Sequence, residues 1–314
     1  MLIQQSMFFM IPLLVVALGG MFSERSGIVN IALEGKMVMG AFMGVLFLNS
    51  FQNPELATDH GILLLALLVA MGTGMLMALL HAFASINLKA NQIISGIAIN
   101  MFAPAFAVYA TIFIFQTQHL PFMNQFRIPS VPFLGSIPVL GPLFFQNTYI
   151  TTYLGLLILA ISAFVLYKTK FGLRLRACGE HPQAADSVGI SVVGIRYAGV
   201  LISGALAGMG GLIWIVPISG SFSGSVLGYG FLALAVLIFG AWKPMRILFA
   251  AFFFGLLQTI AHSFTAIPFL RDAGIPAAFY AMAPYVATLV FLAFTSKNSQ
   301  APKAVGQPYD KGGR

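Results

Sequence analysis

The chain has 314 residues, 59% of them hydrophobic and only 8% charged, with a net charge of +8. Soluble domains carry about 25% charged residues, so the composition excludes an ordinary water-soluble enzyme and calls for a bilayer. The basic residues are scattered among apolar spans and form no stripe for nucleic acid, and the single Cys178 excludes an internal disulfide or a cysteine-built metal site.

The first apolar run, Met7 to Met21, has no positive region before it, unlike a secretory signal, and reads as a retained first span. Apolar runs then recur at about 36–50, 61–86, 93–115, 149–168, 197–217, 229–241, 247–267 and 276–295. Most are long enough to cross ~30 Å of hydrocarbon as helices, which satisfy their own backbone hydrogen bonds. The expectation is an all-α polytopic bundle of about nine, within eight to ten, transmembrane helices over 1–295. Two runs, 36–50 and 229–241, look short for a crossing and occupy comparable places in the two halves. Matched interrupted spans point to a transport path near the midplane, although no residue-level repeat is evident.

Between the first two runs lies SGIVNIALEG, where Asn30 and Glu34 are four apart and would share a helix face. They either line a path or are structural, with Glu34 favoured by the helix dipole and paired locally with Lys36. Asn91, Gln92 and Asn100 stand at or in the fourth run, which also holds Pro104. Their amides suit contact with a sugar or base and equally suit bonding between helices. His81 and His262 fall near run ends with no carboxylate in the same run, a poor basis for a proton relay. The loop 116–148 carries Pro121, Pro129, Pro132, Pro138 and Pro142 and is either an outer docking platform or a structured connection.

The polar insert Lys168 to Arg196 has five basic residues around the segment Gly179 to Gly189. Pro182 suits the first turn of a helix and Gly189 the left-handed residue beyond its end, so a short helix is expected over Pro182 to Val188. Such a helix is too short to stand alone in water and reads as a docking element. Further on, SGALAGMGG sets Gly204, Ala207, Gly208 and Gly211 at the small-residue spacing of close helix packing, and Trp214 has an interfacial position. Arg271 and Asp272 fall in a short solvated loop. The tail 296–314, rich in Lys, Pro, Gly and Gln, is expected to be disordered and cytoplasmic.

With the insert in the cytoplasm, fourteen Lys and Arg lie inside and only Arg127 and Arg271 outside, a strong positive-inside bias. The N-terminus then falls outside and the C-terminus inside. There is no phosphate-binding G-x-x-x-x-G-K-[ST]; the segment Glu34-Gly35-Lys36-Met37 lacks both the first glycine and the hydroxyl. No catalytic residue, zinc site or dinucleotide loop is visible, and deep spans almost free of charge argue against an ion-coupled pump.

Three blocks carry a resemblance: ERSGIVNIALEGKMVMGAF (Glu24 to Phe42), LKANQIISGIAIN (Leu88 to Asn100) and GLRLRACGEHPQAADSVGI (Gly172 to Ile190), followed by SGALAGMGG. Together they are similar to permease subunits of bacterial nucleoside ABC importers, within the superfamily of ribose and branched-chain amino acid permeases. The resemblance implies a type II-like importer fold in the bacterial inner (plasma) membrane. It implies a homologous second permease, two cytoplasmic ATPases that bind the ATP and Mg²⁺, and a periplasmic or lipoprotein substrate-binding protein. It casts the loop 169–196 as the coupling loop, with Gly179, Glu180, Pro182, Ala184, Ala185, Asp186 and Gly189 meeting the ATPase. It favours nucleosides, of purine type, over simple sugars. No cofactor or metal is expected in this chain.

Overall fold

Every apolar run forms a helix in the computed structural model, which describes residues 2–53, 58–138, 141–295 and 301–311. In chain order these are α1 (Leu2–Arg25), α2 (Leu33–Phe51), α3 (His60–Ala82), extended by a π turn Phe83–Asn87, α4 (Gln92–Phe115) and α5 (Ile150–Lys168). The insert forms α6 (Lys170–Glu180) and α7 (Pro182–Ser187). Then follow α8 (Val192–Ile218), α9 (Tyr229–Phe239), α10 (Pro244–Ser263), the short α11 (Pro268–Arg271) and α12 (Ala277–Thr295).

Six of these, α1, α3, α4, α5, α8 and α10, are long and apolar enough to cross a membrane. The expected count of about nine is therefore not met among the described residues. The shortfall is informative at α2 and α9. Helix α2 begins only at Leu33, after an irregular stretch over 26–32, and Glu34 and Lys36 dilute its first turn. Helix α9 has 11 residues, roughly 16 Å at 1.5 Å per residue, about half of a ~30 Å core.

Helices α1 and α8 form the centre, each with 89% of its apolar window buried, whereas α4 has only 22%. A helix apolar on all sides belongs in the interior, and α1 matches that rule from Phe9 to Phe22. Helices α2, α3 and α8 meet backbone to backbone through glycines. A Cβ at Gly74 would lie 2.1 Å from the Gly204 carbonyl oxygen, at Gly208 2.2 Å from that of Ala70, and at Gly40 2.3 Å from the Gly208 backbone. The small-residue spacing of SGALAGMGG is thus a three-helix seam.

One end of the bundle carries two small antiparallel ribbons. β1 (Leu120–Pro121) pairs with β4 (Ser221–Phe222), and β2 (Arg127–Ser130) pairs with β3 (Gln146–Tyr149). The described parts of the loop, 116–138 and 141–148, pack on this end, with Leu120 and Phe126 fully buried and Asn124 Nδ2 donating to the Val216 carbonyl at 2.6 Å. Asn49 and Gln52 at the end of α2 donate to the carbonyls of Pro121 and Met123.

The other end carries α6, α7 and the tail. Where the sequence pattern implies one short helix in the insert, the structure adds a second, α6, bounded by Thr169, whose hydroxyl accepts from the Gly172 N–H at 3.1 Å. Helix α7 starts on Pro182, and Gly189 just beyond it has φ +82°. The tail expected to be disordered is, over residues 301–311, an irregular strap laid on this end, with Ala304 buried. Residues 296–300 and 312–314 of that expectation lie outside the described residues. The strap is held by backbone bonds to residues far away in sequence, which local composition does not register.

Candidate functional site

The ERSG block closes the end of α1. The Ser26 hydroxyl donates to the Ser23 carbonyl at 2.6 Å and the Ser23 hydroxyl to that of Ile28 at 2.9 Å, which turns the chain back into the bundle. The Glu24 carboxylate accepts from Trp242 Nε1 at 2.6 Å, and Arg25 Nη2 donates to the Trp242 carbonyl at 3.1 Å. Trp242 lies in the turn between α9 and α10, so this block ties the end of α1 to the end of α9.

Past this turn, residues 26–32 climb into the bundle as irregular chain. Unpaired backbone groups at that depth cost several kcal/mol each in hydrocarbon, and the amide side chains of α4 satisfy them. Gln92 Oε1 accepts from the Val29 N–H at 2.7 Å. Asn100 Oδ1 accepts from the Gly35 N–H at 2.8 Å, while its Nδ2 donates to the Ile31 carbonyl at 2.9 Å. His81 is fully buried between Ser95 Oγ and the Val29 carbonyl, each at 3.0 Å. Gln92, Asn100 and His81 are therefore fasteners of this segment. Asn91 is apart from them: exposed, it caps α4 by accepting from the N–H groups of Ile93 and Ile94.

Asn30 and Lys36 are both fully buried. Lys36 Nζ donates to Asn30 Oδ1 at 2.6 Å, and Asn30 Nδ2 donates to Ser203 Oγ on α8. The expected local pairing of Glu34 with Lys36 is thus replaced. The Glu34 carboxylate reaches across to the start of α9, where Oε1 accepts from the Gly228 N–H at 2.9 Å and Oε2 from the Gly230 N–H at 2.7 Å.

Helix α9 is entered from the ribbon end by residues 223–228, again irregular chain, packed closely enough on α4 that a Cβ at Gly224 would sit 2.3 Å from Val108. Gly228 caps α9 with φ +79°, a conformation that glycine adopts without steric cost. Two helices thus begin inside the bundle, one approached from each end, and one carboxylate lies at both starts. Helix N-termini carry partial positive charge, so Glu34 is placed where its charge is best offset. It is only partly buried, and beside it Phe231 and Tyr285 expose 49% and 46% of their surface. The Tyr285 hydroxyl lies next to Gly228.

Trp214 on α8 is 5% exposed. It is buried against Tyr229, with ring centroids 5.1 Å apart, on the inner side of the same junction. Sequence reasoning noted Trp214 without its partner and missed Tyr229, because an aromatic in an apolar run carries no sign of what it packs against.

At the α6–α7 end, Gly179, Cys178 and Ala185 are buried, whereas Ala184 and Gly189 are exposed and Val188 shows 74% of its surface. Glu180 lies 3.9 Å from Arg25, a loose pair. Cys178 packs with Ala185 and Val192, and burial raises the pKa of its thiol. Among the described residues no group of three or more His, Cys, Asp or Glu could hold a metal.

Buried glycine seams, two helices that start within the bundle and apolar spans define a polytopic helical membrane protein of the transporter kind. The chain belongs to the family described as the branched-chain amino acid transport system / permease component, whose model matches residues 2–295. It is 46% identical over 307 residues to the guanosine ABC transporter permease protein NupQ of Bacillus subtilis (strain 168), covering 96% of this chain and 94% of that one. To the nucleoside ABC transporter permease protein NupC of Lactococcus lactis subsp. cremoris (strain MG1363) it is 42% identical over 303 residues, covering 96% and 93%. The NupB permease of the same Lactococcus strain is 27% identical over 271 residues, covering 84% and 72%. No solved structure matches the chain.

Proposed function

We propose that this chain is the membrane-spanning permease subunit of an ATP-driven importer that carries nucleosides, of purine type, across the plasma membrane. The full-length likeness to NupQ and NupC supports the cargo, and the presence of NupB beside NupC in one organism supports a second, homologous permease as partner. Two cytoplasmic ATPases bind the ATP and Mg²⁺, and a periplasmic or lipid-anchored protein delivers the cargo to the ribbon end. The basic end with α6, α7 and the tail faces the cytoplasm and the N-terminus lies outside, as the charge bias favours.

The observation that carries the mechanism is the Glu34 junction. A partly exposed carboxylate inside the bilayer cannot face hydrocarbon, so the α2–α9 face with Phe231 and Tyr285 lines the path or the permease partner. Exposed rings and a hydroxyl there suit an apolar base and a polar ribose. Of the polar residues that the sequence singles out, Glu34 alone belongs to this face; Asn30, Gln92 and Asn100 shape the segment behind it, and Asn91 is a helix cap. At the basic end, Ala184, Asp186 and Gly189 present α7 to the ATPase, while Gly179, Pro182 and Ala185 seat it. ATP-driven closure of the ATPases displaces α7 and rocks the bundle between outward- and inward-open states.

The test is uptake of labelled guanosine and of labelled glucose by liposomes holding the reconstituted complex. Accumulation of guanosine that needs ATP and the ATPase subunits, and that glucose does not compete away, is the expected result. Ala184→Asp on the exposed face of α7 should leave the protein in the membrane and sever uptake from hydrolysis. Concentrative uptake by this chain alone under an ion gradient would overturn the reading.

A further inference from the structure

The strap 301–311 touches, in order, nearly every moving part that the mechanism needs. The Ala304 N–H donates to the Gly179 carbonyl at the end of α6 at 2.8 Å. The Gly306 N–H donates to the Gly27 carbonyl at 3.1 Å, in the turn that leads to Asn30 and Glu34. Gly306 has φ +80°, and a Cβ there would lie 3.3 Å from Val29. The Gln307 carbonyl accepts from Arg196 Nη1 on α8 at 3.1 Å. Tyr309 packs on the cluster of Cys178, Ala185 and Val192, with the Arg196 guanidinium 5.8 Å from its ring centre. Asp310 pairs with Lys89, in the turn before α4, at 3.2 Å.

Two features separate these contacts from incidental surface packing. Arg196 is among the largest fully buried side chains in the protein, at 1% exposed. Among the described residues its hydrogen bond is the one to Gln307, while Nε and Nη2 find no acceptor. A buried guanidinium is costly unless it is partnered, so the strap is part of what makes this end stable. The strap also joins three separate parts: the seat of α7 through Gly179 and Ala185, the re-entering segment through Gly27, and the α4 turn through Lys89.

We infer that the C-terminal strap is a positioning element of the coupling machinery, passing displacement of α7 to the 26–36 segment that carries Glu34. The inference rests on the reading of α7 as the ATPase contact. The strap is not itself the docking helix. It is the tie that makes α7 and the floor of the path move together, through two backbone hydrogen bonds and one buried cation.

The experiment uses the full complex in liposomes, with this chain ended after residue 300 or carrying Gly306→Val, which puts a β-branched side chain at a positive φ. Three quantities are read: ATP hydrolysis, uptake per ATP hydrolysed, and maleimide labelling of Cys178, which is fully buried and packed near Tyr309. The expected result is assembled complex with hydrolysis retained and Cys178 labelled faster. Uptake per ATP should fall roughly tenfold, within the 5–150-fold range of typical coupling energies. Gly306→Val should show the same pattern more weakly.

Unchanged uptake per ATP in both variants would overturn the inference, as would loss of the ATPase from the complex, which would make the strap a docking surface. Unchanged Cys178 labelling would show that the strap does not hold this end. The underlying reading fails separately: if Ala184→Asp leaves uptake and hydrolysis coupled, α7 is not the ATPase contact, whatever the strap does.

Discussion

Replacing Glu34 by alanine removes the only side chain that caps the start of α9 among the described residues, and its consequence can be sized. Two N–H groups, those of Gly228 and Gly230, lose carboxylate acceptors at 2.9 and 2.7 Å. Hydrogen bonds to charged groups contribute ~1.5–3 kcal/mol each in water-soluble proteins, whereas bonds between helices in a bilayer average about 0.6 and reach about 1.7. Taking about 1 kcal/mol apiece gives a loss of about 2 kcal/mol, roughly a 30-fold shift in the equilibrium that keeps α9 seated on α2. Glu34→Gln retains one acceptor but turns an NH2 toward the other N–H, so its loss should be about half, roughly fivefold. Initial uptake rates in liposomes, normalised to the amount of protein inserted, should rank wild type above Gln above Ala. A thermal unfolding series in detergent should follow the same order. Equal uptake and equal stability for all three would refute the view that this carboxylate holds the two helix starts together.

Two more perturbations probe the scaffold. Gly208→Leu drives a side chain into the Ala70 carbonyl, 2.2 Å from where its Cβ would stand, and overpacking of this kind costs ~1–3 kcal/mol or more; the yield of monodisperse protein after detergent extraction should drop sharply, while Leu at the open Gly72 is tolerated. Trp242→Phe strips the 2.6 Å bond from the buried Glu24 carboxylate and should lower thermal stability by about 1–3 kcal/mol. Adding Glu24→Gln should recover part of that loss, because a neutral amide is cheaper to leave buried, and a double-mutant cycle on the melting temperature checks the coupling.

All nine helical runs are legible in the sequence because hydropathy reports burial in lipid and in protein alike. For the same reason it overcounts the crossings. The run 229–241 is as apolar as any, yet α9 covers half the depth, because what precedes it is a glycine-capped irregular stretch at 223–228 that hydropathy does not resolve. Helix α6 escapes notice because KFGLRLRACGE has too many charges to read as a span and too few residues to show its period. The amides of Gln92 and Asn100 stand out at the right place, but their partners are backbone groups of 29–35, 63 or more residues away. A sequence marks that an amide is in an apolar helix, not which chain it will serve. The strap is invisible for a related reason: its composition resembles a linker, and its order comes from groups at Gly179, Gly27 and Arg196.

Two helices that start in the interior, each reached by coil from a different end of the bundle, leave no continuous rod at that position. A rod must break several of its own hydrogen bonds in order to bend, whereas coil fastened by side chains can part at a few contacts. The α6–α7 end can loosen at Gln92, His81 and Asn100, and the ribbon end at the Gly224 contact, with α2 and α9 themselves intact. Throughout, the Glu34 bonds to Gly228 and Gly230 keep the two helix starts joined, so either coil can part without separating α2 from α9.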